Sequence, residues 1–338
     1  MAMDAETGQV LDVLDLPQLY TRPPAAQLLS VLESLGSPTP SWGSGTSTPK
    51  HKTITIKSEG LPRYLTSIIS SPLAWINDET LREQIWETAS VRLSERSGRT
   101  AMGAISRTFV ISESLFITLH EPALTADNLG LKTWASSYVL AKRLLHLKST
   151  LPSLPTGSQI LELGSGTGLV GLAAASIFKT NVTLTDLPAI VPNLWRNVQA
   201  NALTGGAATV AVLDWSNPSD LSLCDRGKVS PNSFPMILAA DAIYSGKHPA
   251  LLAKTVAWHL KKDATARCVV ELPLRERYEL EREDFRIQMA GNSLVLLDEG
   301  TEMGSDDWGE QGESDITCWW SIWLWKAEVL KSYRTRDG

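Results

Sequence analysis

Gln159-Ile-Leu-Glu162-Leu-Gly164-Ser165-Gly166-Thr167-Gly168-Leu-Val-Gly171 decides the fold. Its first five residues read as an apolar strand, the next five as a loop with glycine at every second position, and the rest opens a helix over 168–179. Glycine takes positive φ without strain and lets a ligand lie directly on the backbone, while the first turn of a helix presents unpaired N–H groups. Gly164, Ser165, Gly166 and Gly168 are therefore expected to cradle a nucleotide-like ligand, because three alternating glycines exceed what a bare strand-to-helix turn needs. The spacing also bears on which nucleotide. A dinucleotide fingerprint, G-x-G-x-x-G, needs a third glycine for close helix packing, and that place is Leu169 here. Glu162 precedes the glycines, giving E-x-G-x-G-x-G. A carboxylate there would repel a pyrophosphate but attract the amine end of S-adenosylmethionine through water, which favours the methyl donor over NAD.

Downstream, short apolar runs alternate with helical stretches. Strands are expected at 159–163, 181–185, 208–213, 235–240 and 267–272, with helices at 168–179, 189–203 and 247–261 between them. Such alternation implies βαβ units with right-handed crossovers and a largely parallel sheet covered on both faces. Asp186 lies 22 residues after Gly164, at the carboxyl end of the second of these strands, where a ribose would donate its hydroxyls. It also reads as an N-cap ahead of Pro188, and the two roles are compatible. Asp214-Trp215 ends the third strand, an acid and a ring suited to an adenine amine and its stacking face, although Trp215 equally reads as core. The fourth, Met236-Ile-Leu-Ala-Ala240, gives way to Asp241-Ala-Ile-Tyr244, which would put both polar groups beside the reacting atom. Asn-Pro-Pro-Tyr and Asp-Pro-Pro-Tyr, the marks of amide or base-amine substrates, are absent, and His248 reads as a helix-start residue. A charged helix over 276–290 and a strand pair at 294–298 and 317–325 follow, the Trp319, Trp320, Trp323, Trp325 run being that of a strand buried on both faces.

Upstream, Thr133 to Leu147 reads as an amphipathic helix, and 108–111 with 114–120 as a short hairpin or a pair of edge strands. Before residue 105 the chain reads as a helical accessory region, with helices after Pro23-Pro24, over 61–70 and over 78–95. A linker at 37–50, twelve of whose fourteen residues are Ser, Thr, Pro or Gly, divides it. Residues 106–330 then form the main domain and 331–338 a tail. Of 338 residues 43% are hydrophobic and 20% charged, so disorder throughout is excluded. No apolar run approaches the ~18 residues of a membrane span, and the polar, acidic start MAMDAETGQV points to the cytoplasm. The net charge of −6 argues against nucleic acid and favours a protein partner. Three widely spaced cysteines, Cys224, Cys268 and Cys318, make neither a disulfide framework nor a metal site.

Leu161-Glu-Leu-Gly-Ser-Gly-Thr-Gly168, Asp186-Leu187-Pro188, Leu213-Asp214-Trp215, Asp241-x-x-Tyr244 and Gly130-Leu-Lys-Thr-Trp134 together resemble the seven-β-strand class I methyltransferases, within them the small protein-lysine methyltransferases. The resemblance covers about 108–328. It implies a Rossmann-like, seven-stranded, mostly parallel α/β sheet with helices on both faces, beside a mostly helical N-terminal extension. It also implies S-adenosyl-L-methionine as cofactor, with Trp134 over it and Leu187 and Ala240 among its contacts, and Asp241 and Tyr244 at the reacting amine. Glu121 to Trp134 and Ala240 to Pro249 are similar to the fungal branch acting on translation elongation factor two, so the resemblance implies that protein's lysine as substrate. The rival readings are an NAD-linked oxidoreductase, disfavoured by Leu169, and a non-catalytic S-adenosylmethionine-binding module.

Overall fold

A computed structural model describes residues 12–36, 60–97, 103–123, 129–203, 205–224, 227–306 and 314–334. The expected linker at 37–50 and the last residues of the tail lie outside these. The described residues fall into two compact units, one up to Gly103 and one from Ala104 onward. In the first, α1 (Ala25–Ser34), α2 (Leu61–Ser70) and α3 (Glu79–Ser94) surround Leu28, Leu32, Leu65, Ile68, Ile85 and Ala89. All six are fully buried, and each Leu or Ile contributes roughly 1.5–3 kcal/mol by leaving water. Pro62 in the first turn of α2 and the Asp78 carboxyl, which accepts the Leu81 N–H, start two of these helices. The Trp75 and Trp86 indoles close the bundle by donating to the Pro23 and Ser71 carbonyls at 2.9 Å.

The second unit opens with the antiparallel hairpin β1 (Ile105–Ser112) and β2 (Leu115–Glu121), followed by α4 (Ala135–Thr150). Then come β3 (Gln159–Leu163), α5 (Leu169–Phe178), β4 (Asn181–Asp186), α6 (Val191–Gln199) and β5 (Ala207–Val212). After the two-residue pair β6 (Ser222–Leu223) and β7 (Gly227–Lys228) follow β8 (Met236–Ala240), α7 (His248–His259), β9 (Arg267–Pro273) and α8 (Glu279–Gly291). The long antiparallel pair β10 (Leu294–Asp306) and β11 (Ser314–Trp325), then α9 (Ala327–Arg334), complete it. Seven strands form one sheet in the order β10-β11-β9-β8-β3-β4-β5. The five from β9 to β5 are parallel, and β11 runs antiparallel to β9.

Odd and even residues of the central strands feed opposite cores, Ile160 and Leu238 into the α4–α5 face, Leu161 and Ile237 into the α7–α8 face. The Trp run divides likewise, Trp320 lying against the first core and Trp319, Trp323 and Trp325 in the second. β10 is the main departure from the expected boundaries, running to Asp306 rather than ending at 298. Glu299-Gly-Thr-Glu-Met-Gly-Ser-Asp306 has weak strand propensity alone, but every residue of it is paired with β11, from Glu299 with Ser321 to Asp306 with Ser314. Helix α6 is shorter than 189–203, spanning Val191–Gln199 with Pro192 in its first turn. No helix among the described residues is long and apolar enough to cross a membrane.

Candidate active site

Because β3, β4, β5, β8 and β9 are parallel, their carboxyl ends share one edge, and the segments leaving them build the site. After β3, Gly164, Gly166 and Gly168 have φ of +68°, +55° and +95°, a region that side chains disfavour. The loop is tied to the end of β4. The Gly166 and Leu187 N–H groups each donate to the Asp186 carboxyl at 2.7 Å, and the Ser165 N–H donates to the Thr185 carbonyl at 3.0 Å. Burial pushes the Asp186 pKa up, and the two N–H bonds pull it back. Glu162 lies beneath the loop, 2% exposed, on the same strand face as Ile160. A methyl on Gly171 would stand 2.5 Å from its Oε2, so only glycine leaves room for that carboxyl under α5. Burial raises Glu162 to about 8, with hydrogen bonds from Ser165 and Gly171 opposing the shift.

Over the loop, the Trp215 ring faces Gly164, where a Cβ would come within 3.2 Å of it. Asp214 is exposed and accepts the Ser216 N–H at 2.8 Å. His248, the first residue of α7, stands edge-on between Trp215 and Tyr244, its ring centroid 6.0 Å from the one and 4.2 Å from the other. Burial holds its pKa down, consistent with Nδ1 accepting the Tyr244 N–H at 3.4 Å. Asp241 follows β8 at φ +51°, nearly buried, its N–H donating to the Glu271 carbonyl. A non-glycine residue held in that region is strain that the surroundings must enforce. Its Oδ2 accepts the Ser136 hydroxyl of α4 at 3.1 Å, and Arg275, just past β9, places Nη1 3.8 Å from Oδ1. Tyr244 is 53% exposed; burial of its hydroxyl end, Asp186 and Asp241 all push its pKa up, so it stays protonated.

Trp134 caps α4 from a segment anchored in the interior. Its indole donates to the Leu129 carbonyl at 3.2 Å, and Lys132 and Arg275 place their cationic ends 4.4 and 4.9 Å from the ring centroid. The anchor is Glu121, fully buried at the end of β2. Its carboxylate takes both forks of Arg107 at 2.9–3.2 Å and the Thr133 N–H at 2.9 Å. Burial alone would raise its pKa, but Arg107, Thr133 and Lys132 hold it below the usual carboxylate range. The Thr133 hydroxyl bonds Thr167 of the glycine loop at 2.7 Å, so the hairpin, the Trp134 segment and the loop form one hydrogen-bonded body. Ser136, Arg275, His248 and the Arg107–Glu121 pair do not stand out as site residues in the sequence. Among the described residues, no cluster of His, Cys, Asp and Glu is fit for a metal.

Glu271, on β9 behind Asp241, is fully buried, and neither carboxyl oxygen has a hydrogen-bond partner among the described residues. Arg143 Nε stands 3.8 Å away. Burial and the Glu302 charge push Glu271 to about 8, against the pull of Arg143. The folded chain thus holds a proton that the unfolded chain, near 4.5, releases. This contribution to stability is complete below about 4.5 and is lost as the pH rises through about 8. Glu271→Gln removes the liability. Unfolding free energy at pH 8.5 should rise by up to about 5 kcal/mol, with little change at pH 4.5, as followed by denaturant titration. Equal effects at both pH values would mean that the carboxyl titrates normally.

The profile of a family described as lysine methyltransferases matches residues 113–289. The chain is 39% identical over 274 residues to the protein-lysine N-methyltransferase EFM2 of Saccharomyces cerevisiae, covering 75% of this chain and 64% of that protein, just under two thirds of its length. It is 32% identical over 320 residues to the protein-lysine N-methyltransferase rrg1 of Schizosaccharomyces pombe, covering 93% of this chain and 98% of that one. A shorter match, 38% over 88 residues and covering 26% and 34% of the two chains, is to the EEF1A lysine methyltransferase 3 of Mus musculus.

Proposed function

The chain belongs to the lysine methyltransferase family, and from that premise we propose that it methylates a lysine of a translation elongation factor, elongation factor two foremost, in the cytoplasm. S-adenosyl-L-methionine supplies an activated sulfonium methyl, open to one in-line displacement by an amine. One observation carries the reading. His248 stands edge-on to both Tyr244 and Trp215, and the Trp215 ring lies against Gly164, which supports placing the Asp-x-x-Tyr pair beside the glycine loop at the sheet's carboxyl edge.

The residues fit the cofactor. Gly164 and Gly166 hold the positive φ of the loop where a Cβ would meet the Trp215 ring and the Gly130 carbonyl, Asp186 keeps lone pairs for ribose hydroxyls, and Trp215 and Trp134 border the loop and the Arg275 side chain. Asp214, Leu187 and Ala240 complete this side, with Ser165 and Gly168 shaping the loop. Glu162 supports it from beneath as a buried carboxyl held protonated up to about 8, rather than drawing the ligand's amine end by charge. Asp241 and Tyr244 orient the lysine amine along the displacement axis, and its proton leaves to water. Alignment of this kind supplies up to ~7–11 kcal/mol of the barrier.

The test is transfer of labelled methyl to purified elongation factor two, with elongation factor 1A in parallel and mass spectrometry to place the modified lysine. Methylated elongation factor two supports the reading. Label on elongation factor 1A alone would reassign the substrate, and tight cofactor binding without transfer to either would favour a binding module. Asp186→Ala removes the ribose acceptors and leaves ligand hydroxyls unpaired. Hydrogen bonds to a charged partner contribute ~1.5–3 kcal/mol, so cofactor affinity should fall roughly ten- to a hundredfold by calorimetric titration. An unchanged affinity would leave Asp186 only its bonds to Gly166 and Leu187.

A further inference from the structure

We propose that Arg275 governs the protonation state of the substrate lysine, cancelling the charge of Asp241 so that the amine is not held in its inert, protonated form. The inference rests on the lysine methyltransferase reading above. A lysine of pKa ~10.4 is almost wholly ammonium at neutral pH, and an opposite charge within ~4–6 Å raises its pKa by another 1–3 units. Asp241 is just such a charge. An unopposed carboxylate at that place would orient the amine and quench it together.

Every element around Asp241 contributes to the balance. Arg275, from the segment after β9, stands 3.8 Å from Oδ1 with its guanidinium carbon 4.9 Å above the Trp134 ring. Lys132 lies at 4.4 Å from the same ring centroid. From α4 Ser136 gives Oδ2 a neutral hydroxyl, and from β4 Asp186 adds negative potential at Tyr244. Burial keeps His248 of α7 neutral, the Cys318 thiol of β11 protonated and Glu271 of β9 largely uncharged until about 8. Arg143 and Glu302 face Glu271 and are bonded to each other. Among the described residues Arg275 is a cation paired with Asp241, 27% exposed as a side chain. The ring beside it holds the guanidinium by cation–π attraction, so the positive charge is fixed where a lysine would enter. The pair is nearly neutral at a distance but still offers the amine a hydrogen-bond acceptor, and a second cation facing an ammonium disfavours that ammonium. Arg275 acts through Asp241 and is a positioning residue.

The readout is the single-turnover rate of methyl transfer to elongation factor two against pH, at saturating cofactor and protein substrate, since that rate reports groups in the complex. In Arg275→Gln the rising limb should move up by about one pH unit. The rate at pH 7 should fall roughly tenfold, and the gap should narrow only as the pH approaches the amine's own pKa, ~10.4 for an ordinary lysine. Apparent affinity for the protein substrate should not weaken, because the ammonium then meets a carboxylate with one neighbouring cation fewer. Arg275→Lys keeps a cation and should keep the wild-type profile. Glu271 titrates in the same range, so both variants are repeated in Glu271→Gln, where the shift must persist. A loss by the same factor at every pH, or a shift that disappears in Glu271→Gln, overturns the proposal. Failure of the wild-type chain to methylate any lysine would instead bring down the methyltransferase reading, and this inference with it.

Discussion

Gly166→Arg should give a protein that still melts cooperatively but binds S-adenosylmethionine at least a hundredfold more weakly. Gly166 sits at φ +55°, its N–H donates to Asp186, and a Cβ there would lie 3.0 Å from the Gly130 carbonyl oxygen. Part of the effect is strain in the protein itself. A side chain in the left-handed region costs roughly 1–2 kcal/mol, about 4 °C in melting temperature for a unit of this size. The larger part falls on the ligand, because the arginine occupies the space in which a nucleoside would meet the backbone, and a hundredfold loss needs only ~2.8 kcal/mol. Gly166→Ala separates the two, carrying the strain without filling the cradle, and should retain more affinity than Gly166→Arg. Calorimetric melting beside cofactor titration makes the measurement. Cooperative melting with wild-type affinity in Gly166→Arg would sink the assignment of the glycine loop.

The architecture was legible because it rests on local regularities. Apolar runs of five or six residues, helices between them and glycines at alternate positions announce parallel strands and a loop at their carboxyl edge before any contact is known. Asp186 and Asp241 were legible for the same reason, each being the first acid after an apolar strand. The environment of Asp241 was not, since Ser136 lies 105 residues before it and Arg275 belongs to another strand's end. Nothing local marks such meetings. Glu162 is a different case, because strand parity carried a signal that the motif obscured. Two residues from Ile160, it shares the face covered by α5, and Gly171 is the missing side chain that admits it. The length of β10 was hidden because its outer half is specified by β11, whose Ile316, Trp319 and Trp320 impose pairing on a weak partner.

Turnover should respond to Tyr244→Phe and Asp241→Asn in different ways, and the difference separates catalysis from binding at the end of β8. The Tyr244 hydroxyl is kept protonated by burial and by Asp186 and Asp241, so it can donate or accept but not carry charge. Its ring stays packed on His248 whether or not the hydroxyl is present. If that hydroxyl meets the incoming amine, Tyr244→Phe should lower the rate of methyl transfer about ten- to a hundredfold while cofactor affinity changes less than about threefold, since only the reacting complex loses an interaction. Asp241 is bound more deeply, taking the Ser136 hydroxyl and the Arg275 charge at φ +51°. Asparagine tolerates that backbone conformation better than alanine does, so Asp241→Asn tests the charge with the least strain. Asparagine keeps one acceptor oxygen but loses the charge and the second, so the amine's acceptor is weakened and Arg275 loses one counter-charge. Because losing the charge also frees the amine from its ammonium form, the rate should fall by roughly ten- to a hundredfold, ~1.4–2.8 kcal/mol of barrier, and cofactor affinity by several-fold. Cofactor titration run beside single-turnover transfer to elongation factor two makes the comparison. Equal losses of affinity and rate in Tyr244→Phe would move the tyrosine into the cofactor pocket. Full activity in both variants would mean that Asp-x-x-Tyr only ends a strand, because a carboxylate at positive φ that can be neutralised without cost is not aligning an amine.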